Sequence, residues 1–150
     1  TLSSDNVGSW HRIVGYVPQY VFVADSTILE NVALGFDPSS IDRDKAMNAL
    51  RQASLSDFVA GLPNGIDTRI GEGGCKMSGG QCQRLGIARA LYKNASILFF
   101  DEATSSLDSQ TESEVNEAIA ALSDENSGLT IIAISHRDST LSFCEEILQL

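Results

Sequence analysis

ILFFDE at residues 97–102 decides how the rest of this sequence is interpreted. Its four consecutive apolar residues, followed by two acids, predict a buried strand in a parallel sheet that is covered on both faces. A second apolar run, LTIIAIS at 129–135, predicts another buried strand, and a helical pattern lies between the two at 109–122. Strand, helix and strand in this order predict a right-handed βαβ unit, and hence an α/β fold with a parallel sheet.

Two shorter segments extend the predicted sheet. RIVGYV at 12–17 predicts a strand that ends before Pro18, because proline cannot donate a hydrogen bond to a sheet. ILQL at 147–150 predicts a further strand. We therefore expect one domain over 1–150, and its parts are a sheet core from 1–19 and 94–150 and a mainly helical subdomain from 20–93.

Capping residues and apolar spacing predict four helices within residues 20–93. Thr27 and Glu30 match a capping box, and Gly35 is a natural helix stop. The other three predicted helices cover 42–53, with Ala46, Met47 and Leu50 on one face, then 55–61 and 78–92. A glycine-rich turn region is expected at 65–74.

The net charge of −10 is unevenly distributed along the chain. Residues 1–93 hold nine acids and nine bases, whereas residues 94–150 hold eleven acids and one base, Arg137. This balance argues against nucleic acid as a partner, because phosphate backbones are bound by basic patches. Three cysteines without C-x-x-C spacing predict reduced thiols rather than a metal site.

MSGGQCQRLGIARAL at 77–91 predicts a helix whose start is suited to a phosphate. Ser78 and Gln81 match a capping box, which by itself need do no more than start a helix. Gly79 and Gly80 cost about 1 kcal/mol each inside a helix relative to alanine, which makes sense if a ligand must approach the backbone closely. No lysine follows a glycine as in a phosphate-binding lysine loop.

Polar side chains follow the two central predicted strands. Asp101 and Glu102 end one strand, and His136 follows the other. Ligands of open parallel sheets bind beyond the carboxyl ends of the strands, so these three side chains are expected to meet. Phosphoryl transfer to water requires a carboxylate that binds a metal, a base, and a group that donates a hydrogen bond to the phosphate. Capping of the turn after the strand would also account for Asp101 and Glu102.

Five motifs, in the same order along the chain, resemble those of the nucleotide-binding domain of ATP-binding cassette (ABC) proteins. They are YVPQ at 16–19 (the Q-loop), MSGGQ at 77–81 (the signature), ILFFDE at 97–102 (the Walker B strand), SSLD at 105–108 (the D-loop) and His136 (the switch histidine). The resemblance implies a P-loop NTPase-like α/β fold with an inserted helical subdomain. It also implies that the lysine loop precedes the given sequence, which would make this domain incomplete at its N-terminus.

The resemblance implies a role for each strand-end residue. Asp101 would hold Mg²⁺ through water, and Glu102 would be the catalytic base. Gln19 would contact the Mg²⁺ or the attacking water and sense the transport partner. His136 would hold the γ-phosphate of ATP.

The same resemblance places the signature against a second nucleotide-binding domain, in a homodimer or a heterodimer. Ser78, Gly79, Gly80 and Gln81 would form the part of the nucleotide site that contacts the γ-phosphate of ATP bound by the opposite domain. Asp108 would lie at the interface of the two domains. For these 150 residues alone, we expect weak ATP binding and no meaningful hydrolysis.

TILENVALG at 27–35 and the Ala-Thr that follows Glu102 resemble the exporter branch of the family. The implied function is ATP hydrolysis that powers export, with Mg-ATP between two head-to-tail domains and with a transmembrane domain as partner. The location would be the cytoplasmic face of the cell membrane, with this part of the protein itself soluble. The alternative functions are a non-hydrolysing regulatory module and a soluble ABC ATPase. YVFV at 20–23 is either a binding surface for the membrane domain or a buried stretch.

Overall fold

The computed structural model describes residues 10, 13–125, 128–141 and 144–148. Short 3₁₀ turns lie at Pro38–Ser40 and Gly65–Asp67, among the strands and α-helices of the described residues. In chain order these strands and helices are β1 (Val14–Val17), β2 (Ser26–Thr27), α1 (Ile28–Val32), α2 (Arg43–Gln52), α3 (Ser56–Ala60), β3 (Arg69–Ile70), α4 (Gly79–Tyr92), β4 (Ile97–Asp101), α5 (Ser109–Glu125), β5 (Thr130–Ile134) and α6 (Asp138–Leu141).

A parallel sheet with the strand order β1–β4–β5 forms the core, as the sequence predicts. Val17 pairs with Phe100, and Asp101 pairs with Ile134, so the carboxyl ends of all three strands lie at one edge. That edge is where Gln19, Glu102 and His136 follow their strands. The α/β fold class and the parallel pairing of β4 with β5 through α5 are thereby confirmed.

The prediction that β4 and β5 are covered on both faces is wrong for the described part of the chain. Leu98 and Phe100 on one face of β4 are buried, whereas Ile132 and Ile134 of β5 are 45% and 46% exposed. Side chains alternate between the faces of a strand, and the helix α4 packs against β1 on one face. The other face carries Tyr16 and these isoleucines toward solvent.

The expected strand at 147–150 is also wrong where the structure describes it. Ile147 and Leu148 have no strand conformation and are exposed, and residues 149–150 lie outside the described ranges. Ile147 and Leu148 therefore do not pair with β5 as a further strand.

Local signals predict the starts of the helices well. Thr27 caps α1, and its capping box with Glu30 is complete. Asp42 caps α2 through the amide of Lys45, and Ala46 and Leu50 are buried on its inner face. Met47 is exposed, so the sequence assigned it to the wrong face.

The turn region predicted at 65–74 contains a strand that the sequence did not indicate. β3 pairs antiparallel with β2, with Thr27 opposite Arg69. Gly71 has a φ of +101°, which favours glycine, and a Cβ at Gly74 would lie 2.3 Å from the Arg69 carbonyl oxygen. Two-residue strands are too short to show the alternation by which strands are recognised.

Helix α4 connects the sheet to the other helices, since it packs against β1, α1, α2 and α5. Arg89 on this helix is half-buried, and its guanidinium donates to the carbonyl oxygens of Asn31 and Phe22 and to the Asn31 side chain. Burial lowers the pKa of Arg89 to about 10, so it remains charged at neutral pH. Within the described ranges, none of the helices is both long and apolar enough to cross a membrane.

Candidate functional site

Glu102 and His136 meet at the carboxyl edge of the sheet, as their positions after β4 and β5 predict. His136 Nε2 lies 3.3 Å from Glu102 Oε1, with the histidine side chain 88% exposed and that of the glutamate 36% exposed. A contact this exposed contributes little to stability, so its stabilising effect does not account for the arrangement. A carboxylate and an imidazole that both face solvent can accept protons from a bound ligand or donate protons to it.

The backbone holds Glu102 in an uncommon conformation. Its φ is +48°, in the left-handed region that costs non-glycine residues about 1–3 kcal/mol. The Glu102 amide donates to the Ile134 carbonyl oxygen at 3.0 Å, and its own carbonyl accepts from the Ser105 amide and hydroxyl. These three bonds hold the strained backbone of Glu102 in place.

Tyr16 is a site residue that the sequence analysis did not assign. Its hydroxyl donates to Asp101 Oδ2 at 2.7 Å, and this bond, with the carboxylate charge, raises the pKa of Tyr16. Tyr16 pairs with Phe99 in the sheet, so it shares a face with Asp101, two residues further along β4. The register of β1 against β4 brings Tyr16 next to Asp101, and no pattern in the sequence supplies that register.

Gln19 lies two residues beyond β1, at the same edge as Asp101 and Glu102. Its carbonyl oxygen accepts a hydrogen bond from the buried Gln83 side chain of α4. The segment that follows Gln19 is therefore attached to the helix that begins with the signature. Tyr20 and Phe22 in this segment are 74% and 70% exposed, so the alternative that the whole stretch is buried is wrong for them.

The signature begins α4 with the capping box that the sequence predicts. Ser78 Oγ accepts from the Gln81 amide at 3.3 Å, and Gln81 Oε1 accepts from the Ser78 amide at 2.8 Å. Ser78 and Gly79 are exposed, whereas Gly80 is buried. The helix start therefore presents Ser78 and the Gly79 backbone to an incoming anion.

Packing against Leu107 and α5 explains why positions 79 and 80 are glycine, which the sequence alone did not show. A Cβ at Gly79 would lie 2.9 Å from Leu107 Cδ2, and a Cβ at Gly80 would lie 2.3 Å from Thr111 Cγ2. Contact with the start of α5 is thus sufficient to require glycine at position 80. The close approach of Thr111 to Gly80 therefore accounts for glycine at this position without a ligand, and the role of Gly80 in binding stays a prediction.

Asp108 stands beside these glycines, directly before α5. Its carboxylate accepts from the Thr111 hydroxyl at 2.7 Å and from the Thr111 amide at 3.1 Å. These bonds hold the pKa of Asp108 below its usual value. Because Thr111 also contacts Gly80, the signature and the 105–108 segment form one packed surface.

The donor set at the strand edge suits a metal that is held mainly by waters and phosphates. Asp101, Glu102 and Gln19 offer oxygen ligands, and the described residues include no group of three or more histidine, cysteine or acidic side chains that could enclose a metal. Mg²⁺ is usually bound by one or two carboxylates, several waters and substrate phosphates, rather than by an all-protein cage. The Asp101 carboxylate, although it accepts from Tyr16, has further lone pairs for a metal-bound water.

The parallel sheet, its strand-edge acids and the glycine-containing helix start define a nucleotide-binding domain of the ATP-binding cassette class. The family model described as ABC transporter matches residues 1–105, and the chain belongs to this family.

Known relatives agree with this assignment over most of the chain. An ATP-dependent lipid A-core flippase of Ralstonia nicotianae is 48% identical over 140 residues, which are 93% of this chain and 23% of the relative. An uncharacterized ABC transporter ATP-binding protein of Sinorhizobium fredii is 42% identical over 90% of this chain and 22% of the relative. The solved structure of a bacterial Atm1-family ABC exporter with ATP bound has a TM-score of 0.73 at 42% identity, over 89% of this chain and 23% of that chain. The chain thus spans about a quarter of the length of the proteins it matches.

Proposed function

We propose that this chain is the ATP-binding and ATP-hydrolysing part of an ABC exporter, in which Mg-ATP is held between two head-to-tail domains. The observation that carries the proposal is the placement of Glu102 beside His136, with Asp101 at the end of the same strand. The relatives named as an ATP-dependent flippase and as an exporter with ATP bound support it.

The proposed roles follow from the chemistry of each side chain. Glu102 would accept a proton from the attacking water, and the histidine 3.3 Å away would donate a hydrogen bond to the γ-phosphate. Asp101 and Gln19 would hold Mg²⁺ through oxygen atoms and waters, and the ion would neutralise phosphate charge. The Tyr16 hydroxyl would keep the Asp101 carboxylate oriented toward that ion.

The second half of each site would come from another domain of the same kind. Ser78 and Gly79 are exposed at a helix start, and Gly80 and Gln81 build that start behind them. We propose that these residues contact the γ-phosphate of ATP bound to the opposite domain, and that Asp108 lies in the interface between the two.

The transmembrane domain of the exporter is the proposed second partner, and the cytoplasmic face of the membrane is the proposed location. Tyr20 and Phe22 support this, because two large exposed aromatic side chains next to Gln19 offer an apolar seat. The proposed helical subdomain, 20–93, contains α1 to α4 and the β2–β3 pair, and 1–19 and 94–150 would form the sheet core.

Replacement of the proposed base tests this function in the full-length protein. Glu102→Gln should lower kcat for ATP hydrolysis by at least about 100-fold, because general-base catalysis contributes about 10²–10⁴-fold. ATP affinity, measured by titration calorimetry with Mg-ATP, should be retained. Glu114→Gln is the matched control, since Glu114 is a half-exposed glutamate of α5 in an ion pair with Arg84. Near-normal hydrolysis in Glu102→Gln would contradict the proposed base, and no hydrolysis in the unaltered protein would favour a non-hydrolysing module.

A further inference from the structure

Arg137, the residue after His136, holds the segment that leads into α5. Its guanidinium donates to the Ser105 carbonyl oxygen at 2.8 Å and to the Leu107 carbonyl oxygen at 3.4 Å. It also forms an ion pair with Glu112 of α5. The Arg137 side chain is 37% exposed and that of Glu112 is 7% exposed, so the pair lies at the boundary of the interior.

Further contacts join the same two parts of the chain. The Ser139 hydroxyl donates to the second oxygen of the Glu112 carboxylate. The hydroxyls of Thr104 and Thr140, both buried, lie 3.2 Å apart. We call Arg137, Glu112 and their hydrogen-bond partners the arginine junction. It fixes the residues after β5 to the residues between β4 and α5.

The arginine junction lies between two groups of proposed site residues. On one side it is continuous with His136, which contacts Glu102. On the other side it binds the carbonyl of Leu107, whose side chain packs at Gly79 of the signature and whose next residue is Asp108. A shift of the 105–108 segment would therefore displace Arg137 and, with it, the adjacent His136.

We propose that Arg137 is a positioning residue, which holds the 105–108 segment in a fixed relation to His136 so that both halves of the nucleotide site are set together. This rests on the proposed function, because it assigns Arg137 to the positioning of that same site. A planar guanidinium can bond two carbonyls and a carboxylate at once, because its five N–H donors point in fixed directions. The compact ammonium of lysine cannot reproduce that geometry.

A purely structural role for the ion pair makes a different prediction, and a double substitution separates the two. Arg137→Ala leaves the Glu112 carboxylate buried without its cation, which by itself destabilises a protein. Arg137→Ala combined with Glu112→Gln removes that carboxylate charge but does not restore the bonds to Ser105 and Leu107. If Arg137 positions the 105–108 segment, the double variant regains thermal stability but keeps a reduced kcat for ATP hydrolysis.

The experiment measures kcat and KM for Mg-ATP, together with thermal unfolding, in the full-length protein. We expect Arg137→Ala to lower kcat about 10- to 100-fold, the size of effect that a misplacement near 1 Å produces, with Arg137→Lys restoring only part of it. The double variant should unfold near the wild-type temperature with kcat still reduced. Arg43→Ala is the control, because Arg43 of α2 also forms a two-bond ion pair, with Asp67.

Recovery of kcat in the double variant, or in Arg137→Lys, would overturn the positioning role and leave a structural ion pair. A kcat of Arg137→Ala equal to that of Arg43→Ala would overturn it as well. Glu102→Gln, measured beside them, separates these results from failure of the proposed function. If Glu102→Gln is slow and Arg137→Ala is not, only the role of Arg137 is wrong.

Discussion

Gly80 allows the contact between the signature and α5 to be tested quantitatively. A Cβ placed there would lie 2.3 Å from Thr111 Cγ2, more than 1 Å short of an ordinary van der Waals contact. Overpacking of this kind costs about 1–3 kcal/mol, against a gain of up to about 1 kcal/mol when alanine replaces glycine in a helix. We expect Gly80→Ala to lower the free energy of unfolding by about 1–2 kcal/mol.

Thr111→Ser provides the matched relief of this clash. It removes Cγ2, the atom that the added methyl group of Gly80→Ala would strike, and keeps a hydroxyl for the bond to Asp108. The single change should cost under about 1 kcal/mol, the value of one buried methyl group. In the double variant Gly80→Ala/Thr111→Ser the clash is absent, so a double-mutant cycle should give a coupling energy of about 1–3 kcal/mol.

The assay is urea-induced unfolding of the four proteins, with ATP hydrolysis of their full-length forms measured beside it. If the glycine only makes room for α5, the double variant recovers both stability and hydrolysis. If a phosphate also approaches the Gly80 backbone, stability recovers and hydrolysis does not. A Gly80→Ala variant as stable as the wild type, or one that Thr111→Ser fails to relieve, would refute the packing argument.

Three further predictions concern stability. The hydrogen bonds from Thr111 lower the folded-state pKa of Asp108, so the stability they confer is present above about pH 4 and is lost as the pH falls through that lowered value. Thr111→Val should raise the Asp108 pKa in an NMR titration, and its stability deficit should shrink below pH ~4. Arg89→Met should cost about 2–4 kcal/mol in urea unfolding, because two carbonyl oxygens and an amide oxygen lose their donor. Leu50→Ala should cost about 2–4 kcal/mol and Met47→Ala under about 1 kcal/mol, and similar costs would contradict the observed orientation of α2.

Features that depend on a few adjacent residues were predictable from the sequence. The capping boxes at Thr27 and Ser78 mark the first turns of α1 and α4, because the side chain and the amide it accepts from are three residues apart. The strand 97–101 was recognised because its apolar run is short and ends in two acids. Parallel pairing then brought Glu102 and His136 to one edge without further information.

Features that depend on distant packing were not predictable in this way. Ile132 and Ile134 have the composition of a strand buried on both faces, and only the three-dimensional arrangement shows that the described residues leave one face of the sheet exposed. The bond from Tyr16 to Asp101 spans 85 positions of sequence and requires the strand register. The packing that favours glycine at position 80 likewise involves Thr111, 31 residues away. From the sequence alone, the glycine was therefore explained by the approach of a ligand.

The sharing of each nucleotide by two domains can be tested with a structure of the full-length Glu102→Gln variant bound to Mg-ATP. We predict that the γ-phosphate lies within about 3.5 Å of His136 in one protomer and of Ser78 of the partner subunit. A γ-phosphate that contacts His136 and Ser78 of the same chain, or that has no contact with any Ser78, would contradict the account.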